Sequence, residues 1–193
     1  MEESAGLETQ AAFDLLQKSL QDFCEAFNRK EIFPLLEADV TAYLYHRLLE
    51  NGCSPAMVYN ETRLCGMSKG ERKYDLVIGT MNIEHACIQP VLVVQVKVFQ
   101  RWGHSPQQHR RRFEGILNED LESLGEITDL LHNGRAEVVV DLVYTSKRTG
   151  YLSGYWKEEK RLDYLVTQFK ERNIALFWVH PNAQDELEVK RLT

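Results

Sequence analysis

Apolar residues along the chain follow two different spacings, which separate predicted helices from predicted strands. Segments in which they recur every three or four residues predict helices, and short runs rich in Val, Ile and aromatic residues predict strands. The predicted helices cover residues 8–28, 34–51, 107–132 and 158–172. The predicted strands cover residues 57–65, 73–79, 91–99, 136–146 and 174–179. In chain order these elements are two helices, three strands, a helix, a strand, a helix and a strand.

This order predicts an α/β fold with a central mixed sheet flanked by helices. Three successive strands joined by short turns form an antiparallel meander, and the later alternation with helices allows parallel strands to be added. The N-terminal residues 1–30 are expected to form a helical appendage packed on a body of residues 31–193.

The sequence allows two interpretations of the third helix and of residues 80–89. The third helix is either continuous or broken near Asn118 or Gly125, and residues 80–89 either continue the second strand or turn back as a hairpin. The charged tail, residues 182–193, is expected to be peripheral.

Two of the predicted strands carry polar side chains that packing does not explain. Asp75 interrupts one strand, and Gln95 and Lys97 interrupt the next. Asp and Lys are rarely buried without a partner. Because strand side chains alternate between faces, Gln95 and Lys97 share a face, and a neighbouring strand would bring Asp75 within reach. These groups predict a site for a hard divalent cation such as Mg²⁺ beside an ammonium, which suits phosphodiester hydrolysis.

Asp75, followed twenty positions later by Gln95-Val96-Lys97 on a valine-rich strand, resembles the signature of the PD-(D/E)XK nuclease superfamily. The resemblance implies a restriction-endonuclease-like core and a nuclease dependent on Mg²⁺ or Mn²⁺, acting on DNA more than on RNA. It also implies roles for single residues. Asp75 would be the principal metal ligand, joined by Gln95 and the backbone carbonyl of Val96. Lys97 would be the catalytic lysine, and Glu37 a helix carboxylate and further candidate ligand.

The chain departs from most members of that superfamily at Gln95, where they have an acid. Nucleases of the Mrr kind also use Gln-X-Lys, so the resemblance implies that the change is tolerated. A neutral amide supplies an oxygen without charge, which together with the acidic chain favours an alternative function. In that alternative, the protein is a catalytically inactive nuclease-fold module that binds nucleic acid or a protein partner.

Two acidic residues near the predicted site have competing interpretations. Glu37 lies in the first turn of a predicted helix, where the helix dipole alone favours an acid. Glu61, on the strand before Asp75, is an alternative acidic contributor, although an exposed strand residue explains it as well.

Basic residues concentrate after Gln95 although the net charge of the chain is -6. An acidic chain argues mildly against nucleic acid. Residues 97–113 nevertheless contain no acidic residue, and residues 145–156 combine cations with aromatic rings, as phosphate contact and base stacking require. A solvated surface explains the same charge pattern. The predicted nucleic-acid contacts are Arg101, Arg110, Arg111, Lys147 and Arg148.

Composition adds expectations about location and cysteine chemistry. No run approaches the roughly 18 apolar residues of a membrane span, and the acidic N-terminus does not resemble a signal peptide, so a cytoplasmic protein without a membrane partner is expected. A homodimer is a candidate assembly. The four cysteines form no Cys-X-X-Cys pair, which favours reduced thiols over a zinc site or disulfides.

Overall fold

The computed structural model describes residues 9–34, 36–62, 64–66, 73–99, 106–131, 138–145 and 159–193. The helices are α1 (Thr9–Asn28), α2 (Glu37–Glu50), α3 (Pro106–Leu131) and α4 (Glu159–Glu171). The strands are β1 (Val58–Thr62), β2 (Tyr74–Asn82), β3 (Cys87–Phe99), β4 (Val138–Thr145), β5 (Ile174–Pro181) and β6 (Leu187–Arg191). None of the described helices is long and apolar enough to cross a membrane.

The six strands form one mixed sheet in the order β1-β2-β3-β4-β5-β6. β1, β2 and β3 are an antiparallel meander, β4 and β5 are added in parallel, and β6 returns antiparallel to β5. Helices α3 and α4 lie in the two crossovers that parallel pairing requires. The predicted α/β class, with a mixed sheet flanked by helices, is confirmed.

Each face of the sheet is covered by its own pair of helices. Leu20 of α1 and Leu44 of α2 pack with Val94 on one face, and Leu121 of α3 and Phe169 of α4 pack in the core of the other. Alternate side chains of a strand enter opposite cores, so every buried strand must be apolar on both sides. A polar residue in β2, β3 or β4 therefore stands out.

The β2-β3 hairpin settles the path of residues 80–89. β2 continues to Asn82 and β3 begins at Cys87, with a register shift between Ile78 and Gly79. A bulge bends a strand, and glycine lets the two backbones come close. A Cβ on Gly79 would collide with the Gln89 carbonyl and lie 2.9 Å from Pro90 Cα.

A bridge between Leu64 and Ile88 brings two cysteines together, and the prediction of four reduced thiols is wrong for this pair. Cys65 and Cys87 form a disulfide with their Cα atoms 5.0 Å apart. The Cys65 N–H also donates a hydrogen bond to the Ile88 carbonyl at 2.8 Å. Cys24 and Cys53 are free thiols, and both are buried.

Helix α3 is continuous, so no break occurs at Asn118 or Gly125. Gly125 has a packing reason instead. A Cβ there would collide with the guanidinium of Arg172, which donates a hydrogen bond to the Leu121 carbonyl at 3.1 Å. Arg172, the residue after α4, thus contacts the α3 backbone beside Gly125.

The C-terminal tail forms a sixth strand, which the apolar pattern did not predict because β6 is only half-buried. The Asn28 side chain at the end of α1 holds this strand with two hydrogen bonds. The Leu187 N–H donates to Asn28 Oδ1 at 2.7 Å, and Asn28 Nδ2 donates to the Leu187 carbonyl at 3.0 Å.

Candidate functional site

Asp75, Gln95 and Lys97 lie on the same face of the sheet, beside α3. Leu76 pairs with Val94, so Asp75 is next to Gln95 across the β2-β3 ladder. Val94 and Val96 enter the core beneath α1 and α2, and the odd-numbered positions of β3 therefore project from the opposite face. The sheet thus places the carboxylate, amide and ammonium of the predicted site side by side.

The Asp75 carboxylate is fixed by the backbone of β3. The Val96 N–H donates a hydrogen bond to Asp75 Oδ2 at 2.7 Å. Burial raises the pKa of Asp75, while the Val96 hydrogen bond and the charge of Lys97 lower it, and the charges of Glu37 and Glu61 raise it. The carboxylate is half-buried, oriented across β3 and surrounded by further acids.

Lys97 lies between carboxylates from both helical layers. Its Nζ is 3.8 Å from Glu37 Oε2 of α2 and 3.8 Å from Asp120 Oδ1 of α3. The lysine side chain is 15% exposed and that of Asp120 is 6% exposed, whereas Glu37 is 45% exposed. Because α2 and α3 cover opposite faces, Lys97 must lie where the two layers meet at an end of the sheet.

The start of α2 explains how Glu37 reaches this point. The sequence predicts a helix from Pro34, but α2 begins at Glu37, after Leu36 in an extended conformation. The Leu36 N–H donates to Asp39 Oδ2 at 2.9 Å, which closes the first turn. Glu37 is therefore the first helical residue, and its side chain extends towards Lys97 rather than along the buried stripe of the helix.

An open cleft of about 370 Å³ lies over Glu37, Gln95 and Lys97, and Asp75 and Asp141 lie beside it without being among its lining residues. Its walls include Glu37, Lys73, Gln95, Lys97, Asp120 and Ser123. Charged and polar side chains from α2, β3 and α3 thus surround the same small, solvent-filled cleft. Such a cleft suits a charged ligand rather than an apolar one.

Asp141 on β4 is the most unusual residue near the cleft. It is 0% exposed, and neither Oδ1 nor Oδ2 has a hydrogen-bond partner among the described residues. Gln95 is its register partner on β3. Burial raises the pKa of Asp141 well above its ordinary value, and the charge of Asp120 raises it further, while Lys97 lowers it.

Sequence reasoning missed Asp120 and left Asp141 unexplained. Both positions carried a usable signal. Asp120 falls three residues after Leu117 and four before Leu124, on the buried stripe of α3. Asp141 interrupts a valine-rich strand, as Asp75, Gln95 and Lys97 do, but only the register shows that it lies beside Gln95.

Other predicted site residues are placed in part or not at all. Glu61 is an exposed residue of β1 whose charge raises the pKa of Asp75, and it does not line the cleft. Arg101, Lys147 and Arg148 lie outside the described residues. Arg110 and Arg111 are part of α3, but their side chains lie outside the description.

The oxygen atoms of Asp75, Gln95 and Asp141 are of the chemical kind that a hard divalent cation prefers. Carboxylate and amide oxygens are the ligands that Mg²⁺ prefers, and it keeps several waters. The buried Asp141 oxygens also lack the partner that a carboxylate needs. Within the described part of the chain, no three His, Cys, Asp or Glu side chains form a ready-made metal group. A cation would therefore depend on few carboxylates, on the Gln95 amide and on water.

No protein-family model matches the sequence, and neither curated proteins nor solved structures provide a significant match. The resemblance to PD-(D/E)XK nucleases therefore rests on Asp75, Gln95, Lys97 and their arrangement alone.

Proposed function

We propose that this chain is a metal-dependent nuclease that hydrolyses phosphodiester bonds in nucleic acid, with DNA favoured over RNA. The observation that supports this most is the Asp75 carboxylate, held 2.7 Å from the Val96 N–H beside Gln95 and Lys97. An acid next to an amide and an ammonium that line an open cleft matches the chemical needs of phosphodiester cleavage.

Asp75 and Gln95 would hold Mg²⁺ or Mn²⁺, with the Val96 carbonyl and Glu37 as further candidate ligands. When bound, the cation would neutralise charge on the scissile phosphate and lower the pKa of a coordinated water. The Val96 N–H leaves Asp75 Oδ1 for the cation because it occupies Oδ2. This bond orients the carboxylate before any ligand arrives, which lowers the cost of ordering it.

Lys97 would act on the phosphate and the attacking group. Its ammonium can donate hydrogen bonds to the non-bridging phosphate oxygens and stabilise the negative charge that develops during attack. Glu37 and Asp120 keep that ammonium at the cleft wall, each 3.8 Å from Nζ. They also compete with the phosphate for it, so a bound cation is needed to offset the negative charge of the cleft.

Nucleic acid would bind along the cleft through basic residues. Lys73 lines the cleft, and the five predicted contacts are Arg101, Arg110, Arg111, Lys147 and Arg148. Neutralising phosphates with such side chains gives binding that weakens as salt concentration rises. A cytoplasmic location remains part of this proposal.

The test is cleavage of labelled single- and double-stranded DNA and RNA, with Mg²⁺ or Mn²⁺ and with EDTA. We expect metal-dependent cleavage that falls about 100-fold or more in Asp75→Asn, since this change removes a charged ligand and keeps the shape. Asp163→Asn, an exposed acid of α4, is the matched control and should cleave like wild type. Equal rates for Asp75→Asn and wild type would overturn the proposal.

The alternative function is a catalytically inactive nuclease-fold protein that binds nucleic acid or a protein partner. The specific observation in its favour is the neutral amide of Gln95 at the cleft wall. Salt-dependent DNA binding without cleavage in either metal would support nucleic-acid binding alone. No DNA binding at all would point to a protein partner.

A further inference from the structure

We infer that Asp141 supplies the negative charge that Gln95 lacks, as a carboxylate ligand for a divalent cation held over β3. This inference rests on the proposed function, because it assigns a ligand to the same metal site. Nothing in the sequence motif points to Asp141, since the resemblance assigns the two strand ligands to positions 75 and 95.

The first observation is the environment of the Asp141 carboxylate. The residue is 0% exposed, and both of its oxygens lack hydrogen-bond partners among the described residues. A buried carboxylate with no hydrogen bond is strongly unfavourable, and buried charges in proteins are paired or coordinate metals. The strand would be more stable with an apolar residue at this position, so the acid requires an explanation beyond folding.

The second observation is the register between β3 and β4. Gln95 pairs with Asp141, and Lys97 pairs with Val143 two residues further on. Register partners in neighbouring strands project from the same face and lie about 5 Å apart. Asp75 flanks Gln95 on the other side, through β2. Three oxygen-bearing side chains therefore form a row across three adjacent strands, with the neutral one in the middle.

The third observation is the charge around Asp141. Its neighbours in electrostatic contact are Asp120, Lys97, Asp75 and Glu37. Three carboxylates besides Asp141 thus outnumber the single ammonium of Lys97 among these neighbours, and they leave a local excess of negative charge around Asp141. A divalent cation over Gln95 would offset this excess and would give the Asp141 oxygens the partner they lack.

These observations together account for the amide at position 95. An acid there would stand directly between Asp75 and Asp141, and like charges on neighbouring strands repel. With Gln95 between them, the two carboxylates bracket the amide oxygen, and the site keeps two charges from Asp75 and Asp141. An acid on β4 at Asp141, instead of on β3 at position 95, keeps the charge of the metal site although the acid lies elsewhere in the sequence.

The experiment is calorimetric titration of the whole chain with Mn²⁺ alone, at neutral pH and without nucleic acid. We expect Asp141→Asn to lower Mn²⁺ affinity about tenfold or more, because affinity follows the number of charged ligands. Asp163→Asn should bind Mn²⁺ like wild type, since Asp163 is exposed on α4. Metal-free Asp141→Asn should unfold at the same or a higher temperature than wild type, which separates ligation from folding.

The decisive variant is the double substitution Gln95→Glu with Asp141→Asn, which returns the acid to β3. We expect it to bind Mn²⁺ within about threefold of wild type, because the charge count is restored. A merely structural role for Asp141 would not be rescued by a charge on the neighbouring strand. Should Asp141→Asn fail to fold, Asp141→Val suits the valine-rich strand and replaces it in every titration.

The outcomes separate this inference from the proposed function. Unchanged Mn²⁺ affinity in Asp141→Asn, with affinity lost in Asp75→Asn, would overturn the role of Asp141 and leave the metal site standing. Failure of the double variant to regain affinity would also overturn it. If wild type binds no Mn²⁺, both the inference and the metal-dependent nuclease fail.

Discussion

Asp120 Oδ1 lies 3.8 Å from Lys97 Nζ, and this pair joins helix α3 to the C-terminal end of strand β3. Asp120 is 4% exposed, so its charge is little screened by solvent. Breaking a buried pair by removing one partner leaves the other charge uncompensated. Asp120 therefore restricts where the Lys97 ammonium can lie.

The first prediction concerns this positioning. Asp120→Asn should lower the nuclease kcat about tenfold and leave KM for DNA nearly unchanged, since outer partners of a site typically contribute on this scale. Steady-state kinetics with labelled DNA in Mg²⁺ gives both constants. Glu122→Gln, an exposed change in the same helix away from the cleft lining, is the control. An unchanged kcat in Asp120→Asn would show that Glu37 alone positions Lys97.

The second prediction concerns the charge at position 95. Gln95→Glu should tighten Mg²⁺ binding about tenfold, because a carboxylate adds a charge where the amide offers only an oxygen. Titration calorimetry at neutral pH measures this directly. Gln89→Glu, further back on the same strand, controls for the added charge alone. No heat of binding in either protein would count against the metal site.

The strand alternation that unites Gln95 and Lys97 could be predicted from the sequence, since it depends only on local geometry. The α/β class could also be predicted, because each helix and strand has its own local spacing of apolar residues and their order indicates the class. Asp120 could have been found from its helical spacing with Leu117 and Leu124. The place of Asp141 could not, because the parallel register joins β3 to β4 across the whole intervening helix α3, and no local pattern indicates that pairing. The Cys65–Cys87 bond likewise depends on the bridge between Leu64 and Ile88, which no cysteine spacing reveals.

The third prediction follows from the raised pKa of Asp141, whose largest cause is burial. A raised pKa in the folded state means that the folded chain keeps a proton which the unfolded chain releases. Stability therefore falls as pH rises above about 4 through the raised value. Without metal, Asp141→Asn should be more stable than wild type at pH 7, and the difference should vanish near pH 4.

Urea unfolding in EDTA at several pH values measures that difference. Asp163→Asn should show no such trend, because its side chain is exposed. A wild type that is the more stable protein at pH 7 would mean that Asp141 has a partner in the folded chain.

The fourth prediction concerns the disulfide. Cys65→Ser should lower the free energy of unfolding of the oxidised protein by about 3 kcal/mol, because the bond closes a loop of 22 residues in the unfolded chain. Denaturant unfolding with and without a reductant measures this, and reductant should bring wild type close to the variant. Alkylation of denatured, unreduced wild type should label Cys24 and Cys53 alone. Labelling of all four cysteines would contradict the bond.

The Asn28 side chain makes two hydrogen bonds to the backbone of β6, as a neighbouring strand would. Its amide donates to the Leu187 carbonyl and accepts from the Leu187 N–H, two of the backbone groups through which β6 could pair with a foreign chain. Exposed edges of this kind invite edge-to-edge aggregation unless something covers them. Asn28, at the end of α1, therefore covers part of the exposed β6 edge of the sheet. We expect its replacement to increase self-association of the protein and to leave the candidate site unchanged.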